Sequence, residues 1–276
     1  MKVLKTTSDT RLACSQFQTV GFVPTMGSLH EGHLALVRRA KLECGAVAVS
    51  IFVNPTQFAP GEDFAKYPRN LERDLELLER SQVDVVFVPS AAEVFPNGFD
   101  TQVQVGTVTQ QLEAAIRPGH FNGVATVVTK LFNVVQPYRA YFGQKDGQQC
   151  VVIRKLVRDL NFPCEIVVEP TVRESDGLAM SSRNVFLTPE QRGQASVLFK
   201  ALTAAKARFM DGEREAVALR SVVEGALVEV PSAIIDYISV ADSTDLKELN
   251  YIDRAALLSL AVRIGSVRLL DNLLLE

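Results

Sequence analysis

Over its first 170 residues the chain alternates short, continuously apolar runs with longer amphipathic ones, and that alternation leaves few folds open. The apolar runs fall at residues 20–23, 47–53, 83–88, 140–142 and 165–168. Their lack of in–out alternation is the pattern of parallel strands covered on both faces. Between them, residues 33–43 place Leu34, Val37 and Ala40 on one helical stripe, with Gly45 as a stop signal. Residues 70–80 repeat the stripe with Leu71, Leu75 and Leu78. Residues 147–160 do so with Val152, Leu156 and Leu160, behind Asp146 as a candidate N-cap. Strand–helix alternation of this kind predicts an α/β fold with a doubly wound parallel sheet. Residues 123–135 are rich in Val and Thr and read as strand by propensity, but their length predicts a helix.

After about residue 171 the alternation stops. Thr188-Pro189-Glu190-Gln191 combines a capping box with proline at the first helical position. It predicts one long helix to about Met210, with Gly212 just beyond, and a second helix over 213–228 ended by Pro231. Residues 234–240, 256–263 and 267–270 read as strands, the last two joined as a hairpin at Gly265-Ser266. The expected organisation is a larger domain over 1–171 and a smaller C-terminal α+β domain over 172–276.

With 47 % hydrophobic and 22 % charged residues the chain is too apolar to be disordered, and a net charge of −3 supplies no field for nucleic acid or an anionic membrane. Cys14, Cys44, Cys150 and Cys164 form no Cys-x-x-Cys pair, against zinc-ribbon and thioredoxin readings. No apolar stretch approaches 18 residues, and residues 1–14 hold no run of signal-peptide length. A soluble cytoplasmic protein is expected.

Two of the three histidines, His30 and His33, stand in Pro24-Thr25-Met26-Gly27-Ser28-Leu29-His30-Glu31-Gly32-His33, between the first apolar run and the first helix. There a parallel sheet offers free backbone N–H groups and the positive end of a helix dipole to an anion. Gly27 and Gly32 allow close backbone approach. The histidines are open to three readings: donors to a nucleotide phosphate, half of a zinc site, or helix caps. Position and glycine context favour the first.

The run Pro-Thr-Met-Gly-x-Leu-His-x-Gly-His resembles the pantoate–β-alanine ligase family, within the nucleotidyltransferase superfamily that holds class I aminoacyl-tRNA synthetases. Phe52-Val53-Asn54-Pro55-Thr56-Gln57-Phe58, Arg117-Pro118-Gly119-His120-Phe121-Asn122-Gly123-Val124, Phe142-Gly143-Gln144-Lys145-Asp146-Gly147-Gln148-Gln149 and Gly177-Leu178-Ala179-Met180-Ser181-Ser182-Arg183-Asn184 agree with it in order. The resemblance covers residues 20–190. It implies a Rossmann-like fold of nucleotidyltransferase type and the condensation of pantoate with β-alanine. ATP is consumed to AMP and pyrophosphate through a pantoyl adenylate, with magnesium, in a homodimer. Both nucleophiles belong to the substrates, which fits a chain without a base-paired Ser or Cys motif.

The resemblance also implies site roles. Met26, Gly27, Ser28, Leu29, His30, Glu31, Gly32 and His33 form the ATP-binding turn, with His30, His33 and Lys145 as the catalytic groups. Gly143, Gln144, Asp146, Val172, Met180, Ser181, Ser182 and Arg183 complete the ATP contacts. Lys145 follows a strand at a strand-to-helix turn, where its alternative is a solvated surface lysine. Ser181, Ser182 and Arg183 resemble the Lys-Met-Ser-Lys-Ser loop, although Ala179 stands where that signature opens with Lys and Arg183 where it ends with Ser. Gln57 and Gln149 are the expected pantoate readers, because a primary amide can both donate and accept. Arg117 is a substrate or adenylate contact or a loop-surface charge. Asp74 is a magnesium ligand or a solvated helix carboxylate. His120 is expected to order its loop.

Rival readings are a nucleotidyltransferase that retains a nucleotidyl product, a nucleotide-binding module without turnover, and a zinc hydrolase using His30 and His33. A hinge near residues 169–175 is expected to let the C-terminal domain close as a lid and keep water from the adenylate.

Overall fold

A computed structural model describes residues 1–58 and 64–276. The described residues fold as two compact units, 1–143 with 152–169, and 144–151 with 170–276. The elements of the first run in the order β1 (Lys2–Leu4), α1 (Thr7–Cys14), β2 (Val20–Thr25), α2 (Glu31–Glu43), β3 (Ala46–Ile51), α3 (Leu71–Arg80), β4 (Val85–Phe87), α4 (Ala91–Val94), α5 (Glu113–Ile116), α6 (His120–Val135), β5 (Arg139–Gly143), α7 (Gly147–Asp159) and β6 (Glu165–Glu169). The first turn of α7 belongs to the second unit.

The strands form one parallel sheet in the order β1-β4-β3-β2-β5-β6. This is the doubly wound architecture the alternation predicts, with one extra edge strand. Consecutive residues of β2 show why its sequence is apolar throughout: Val23 packs into a core with Leu36, Val37 and Ala40 of α2, while Phe22 meets Phe132 of α6 edge-on at 6.3 Å. Side chains of a strand alternate between faces, so helices on both faces bury both sets. The Val- and Thr-rich segment is helical, as its length predicts. In α6, Phe121, Val124, Ala125, Val128, Leu131, Phe132 and Val135 are all buried, so core packing outweighs the β-branched propensity.

The sheet reverses its winding direction between β2 and β5, the point at which open α/β sheets bind ligands beyond the carboxyl ends of their strands. The turn that leaves β2 at this point is residues 26–30.

The second unit contains α8 (Pro189–Ala195), α9 (Val197–Met210), α10 (Ala216–Val228), β7 (Ala233–Asp242), β8 (Ala256–Ile264) and β9 (Val267–Leu275). Its strands form an antiparallel sheet in the order β7-β8-β9, with Gly265 at positive φ in the β8–β9 turn. Leu198, Leu202, Leu219 and Val223 of α9 and α10 share a core with Leu258, Leu260 and Val262 of β8. The single long helix expected over 189–210 is two helices. Thr188 caps the first in a capping box, but at Ser196 the backbone N–H bonds to Gln194 and the hydroxyl to Gly193, which interrupts the ladder. Residues 144–151 also depart from the break in composition near 171. They fold with the second unit, because Gly147 backs onto Leu257 and Asn272 too closely for any larger residue to fit without a shift.

Candidate active site

The turn after β2 is built around a buried carboxylate. Asp74, on α3 and 1 % exposed, accepts the backbone N–H of Ser28 with Oδ2 and of Leu29 with Oδ1, both at 2.8 Å. Gly27 and Ser28 adopt positive φ of 80° and 52°. A Cβ on Gly27 would lie 3.0 Å from Asp74 Oδ2, so glycine serves both the backbone conformation and the close approach. Thr25 accepts the N–H of Gly27 while its hydroxyl donates to Ser50 O at 2.8 Å, and Arg73 donates to Leu29 O.

The two histidines open α2. Nδ1 of His30 accepts the N–H of Gly32 at 3.1 Å, and Nδ1 of His33 accepts the N–H of His30 at 3.3 Å, a reciprocal capping box. A neutral imidazole that accepts at Nδ1 carries its proton on Nε2. Both rings, 4.1 Å apart between centroids, are therefore fixed in the tautomer with Nε2–H as donor. Gly32 makes room for this: a Cβ there would fall 2.9 Å from the His30 ring.

Gln57 ends a short 3₁₀ turn, Pro55–Gln57, capped by Asn54. Its amide donates to Met26 Sδ at 2.9 Å and accepts from Asn54 Nδ2 at 3.1 Å, and Asn54 also donates to Gly123 O. The Gln57 backbone carbonyl accepts from His120 Nδ1 at 2.8 Å and from Arg117 Nη2 at 3.2 Å. With its proton on Nδ1, His120 can accept from Arg117 Nη1, 3.3 Å from Nε2. Arg117 and His120 thus hold Gln57 in place. Gly123 lets α6 lie on this turn, because a Cβ there would sit 2.3 Å from Thr56 O and 2.7 Å from Gln57 N. Gly123→Ala is expected to cost about 3 kcal/mol, the upper end of overpacking, against the roughly 1 kcal/mol that alanine gains in a helix. A thermal melt should show a drop of several degrees; an unchanged melting temperature would contradict the close approach.

In the second unit, Lys145 stands in a 3₁₀ turn, Gln144–Asp146, that runs into α7, and its Nζ donates to Asp146 Oδ1 at 3.1 Å. An open concavity lined by Lys145, Ser181, Arg183 and Asn184 brings this lysine together with the Met-Ser-Ser-Arg loop. Residues 172–180 form a small hairpin closed by Met180 N–H to Val172 O and Glu174 N–H to Leu178 O. Ser181 Oγ then accepts the N–H of Arg183 and caps the 3₁₀ turn Ser182–Phe186, an arrangement that leaves the Ser181 hydroxyl proton to donate.

The sequence-predicted residues therefore gather in two sets, Met26–His33 with Gln57, Asp74 and Arg117 in one unit, and Lys145 with Ser181, Ser182 and Arg183 in the other. Some act differently from the expectation. The Leu29 side chain is in the core and only its backbone joins the turn. Glu31 is exposed and paired with Arg38. Gly143 ends β5, and Gln149 lies half-buried on the first turn of α7, with Gln57 in the other unit. Asp74 is not the solvated helix carboxylate of the alternative reading. It is buried, and both of its oxygens are engaged by the turn. Among the described residues no group of three His, Cys, Asp or Glu side chains could hold a metal by itself; magnesium carried on nucleotide phosphates needs only one or two carboxylates. The zinc reading of His30 and His33 lacks a third ligand. Burial pushes the thiols of Cys14 and Cys164 up to about 11 and about 12, which keeps them protonated and inert. No helix among the described residues is long and apolar enough to cross a membrane.

Sequence reasoning assigned no role to Asn54 or Asn272, and it read Gly123 only as part of a motif and as the start of a helix. Each acts on backbone far away in sequence.

The profile of the family described as pantoate-beta-alanine ligase matches residues 2–274. Pantothenate synthetase of Chloroflexus aurantiacus is 59 % identical over 277 residues, covering 100 % of this chain and 99 % of that protein. That of Herpetosiphon aurantiacus is 57 % identical, with both chains fully covered. Among solved structures, pantothenate synthetase from Thermus thermophilus matches with a TM-score of 0.96 at 50 % identity, over 99 % of each chain. The pantoate-beta-alanine ligase of Francisella tularensis, solved with beta-gamma ATP and beta-alanine, matches with a TM-score of 0.80 at 34 % identity, over 99 % of this chain and 97 % of that one.

Proposed function

The chain belongs to the pantoate–β-alanine ligase family and is an ATP-dependent ligase of that activity, and from this premise we propose how its two sets of residues divide the work. The pantoate carboxylate attacks the α-phosphorus of ATP and displaces pyrophosphate. The amine of β-alanine then attacks the carbonyl of the mixed anhydride, expels AMP and loses a proton. No protein nucleophile is needed, so the enzyme contributes positioning and stabilisation of developing charge.

The observation that carries this reading is the commitment of both histidine Nδ1 atoms to backbone N–H groups. It fixes both imidazole rings at the positive end of α2, where phosphate oxygens gain negative charge as the bond to pyrophosphate breaks. Asp74 serves the nucleotide indirectly, by holding the turn that leads to these rings. Lys145 supplies a point charge for the phosphates, and Ser181, Ser182 and Arg183 supply hydroxyls and a planar fork. Gln57, held by Asn54, Arg117 and His120, reads pantoate together with Gln149. The C-terminal unit acts as a lid, and magnesium enters bound to ATP. The enzyme is a cytoplasmic homodimer; sedimentation of the purified chain tests the dimer.

The decisive experiment is exchange of labelled pyrophosphate into ATP. Pantoate alone should support it, and β-alanine alone should not, because the group that displaces pyrophosphate is the pantoate carboxylate. Exchange that strictly requires β-alanine would overturn the stepwise order. Exchange independent of pantoate would overturn the assignment of the acid.

A further inference from the structure

Strand β9 carries Asp271-Asn272 in the middle of a sequence that is apolar but for Arg268 near its start, and both residues are buried, at 2 % and 3 % exposure. Burying an acid and an amide in an edge strand is costly unless their hydrogen bonds are made. Here they are made, and they lead to the two phosphate loops of the same unit. Asn272 Nδ2 donates to Gln144 O and to Lys145 O, each at 2.9 Å, and Oδ1 accepts from Gln144 Nε2 at 2.7 Å. This pattern fixes the amide orientation, since a flipped side chain would set its oxygen against two carbonyls. Asp271 accepts both terminal nitrogens of Arg173, at 2.6 and 2.9 Å, and Arg173 also donates to Gly177 O and lies 3.8 Å over the Phe199 ring. The hairpin that leads to Ser181 is thereby tied to the same strand.

We propose that Asn272 is a positioning residue for the adenylation step: it fixes the backbone of residues 144–145 so that the Lys145 ammonium is held at the phosphates. The inference rests on the reading of Lys145 as a phosphate contact. An apolar residue on β9 would meet the needs of the sheet; what the amide adds is a defined place for two carbonyls at the foot of α7. Gly147 fits this role, because a Cβ there would lie 3.2 Å from the Asn272 amide and crowd the pair apart.

The test uses the full-length enzyme and pantoate-dependent pyrophosphate exchange, with thermal melts alongside. Asn272→Ala is expected to lower exchange about 10- to 100-fold per folded molecule, the scale for misplacing a reacting group by an ångström. The KM for β-alanine should not change. In a Lys145→Ala background the same substitution should lower exchange by less than about twofold, because the group it positions is gone. A purely structural role would lower the melting temperature equally in both backgrounds and leave exchange per folded molecule unchanged; that result would overturn the proposal, as would an undiminished effect in the double variant. Asn272→Ser, which retains a donor, guards against failure to fold and should fall between wild type and alanine. If neither variant folds, Asn272 belongs to folding and the proposal fails. Normal exchange by Lys145→Ala alone would instead remove the phosphate reading beneath it.

Discussion

Replacing His33 with alanine should lower turnover about 10²- to 10³-fold, the scale for removing one preset donor from a developing charge. The structure adds a complication that can be controlled. His33 Nδ1 also accepts the N–H of His30, so alanine removes one arm of the capping box and should cost about 1 kcal/mol of stability. Glutamine is the usual residue at this helical position in a capping box and can restore that acceptor. His33→Gln is therefore expected to recover the melting temperature of the parent while leaving turnover as low as in His33→Ala. Recovery of both properties by glutamine would assign the histidine to capping alone.

Lys145→Ala should depress pantoate-dependent pyrophosphate exchange and overall synthesis together, each by about 10²-fold or more. Stability should scarcely change. The pair with Asp146 has side chains 21 % and 46 % exposed, and an ion pair so open to water contributes about 0–1 kcal/mol. Lys145→Arg should recover only part of the rate, because a planar guanidinium does not place its charge where a compact ammonium does. Loss of synthesis with full retention of exchange would move Lys145 from the adenylation step to the attack of the amine.

The doubly wound sheet was readable because burial on both faces leaves an unbroken apolar signature in β2, β3 and β5. β1 and α1 left no such mark. β1 has three residues, largely exposed, and α1 buries only Thr10, Ala13 and Cys14. The histidines, Lys145 and the serine–arginine loop were legible as motifs, since each is a local run. Their supports were not. Asp74 lies 46 positions from Ser28, and Asn272 lies 127 positions from Lys145. Hydrogen bonds of that reach have no period along the chain. Asp74 accordingly read as a magnesium ligand or a solvated helix carboxylate, and its burial beneath the turn, with both oxygens bonded to backbone, was not visible. Gly123 shows the same limit: a glycine in a helical pattern is visible, but the Thr56 carbonyl that requires it is not.

The distance in sequence between Asn272 and Lys145 also sets a schedule during synthesis. A ribosome adding about 5–20 residues per second needs roughly 6–25 s to travel the 127 positions from Lys145 to Asn272. For most of that interval every strand of the parallel sheet, the histidine turn and the Gln57 clamp have already been made, while the carbonyls of residues 144 and 145 wait for their partner. A chain released before β9 is made can present a nucleotide turn yet lacks the anchor for its lysine. On the role proposed for Asn272, efficient formation of the reactive anhydride therefore waits for β9, late in translation.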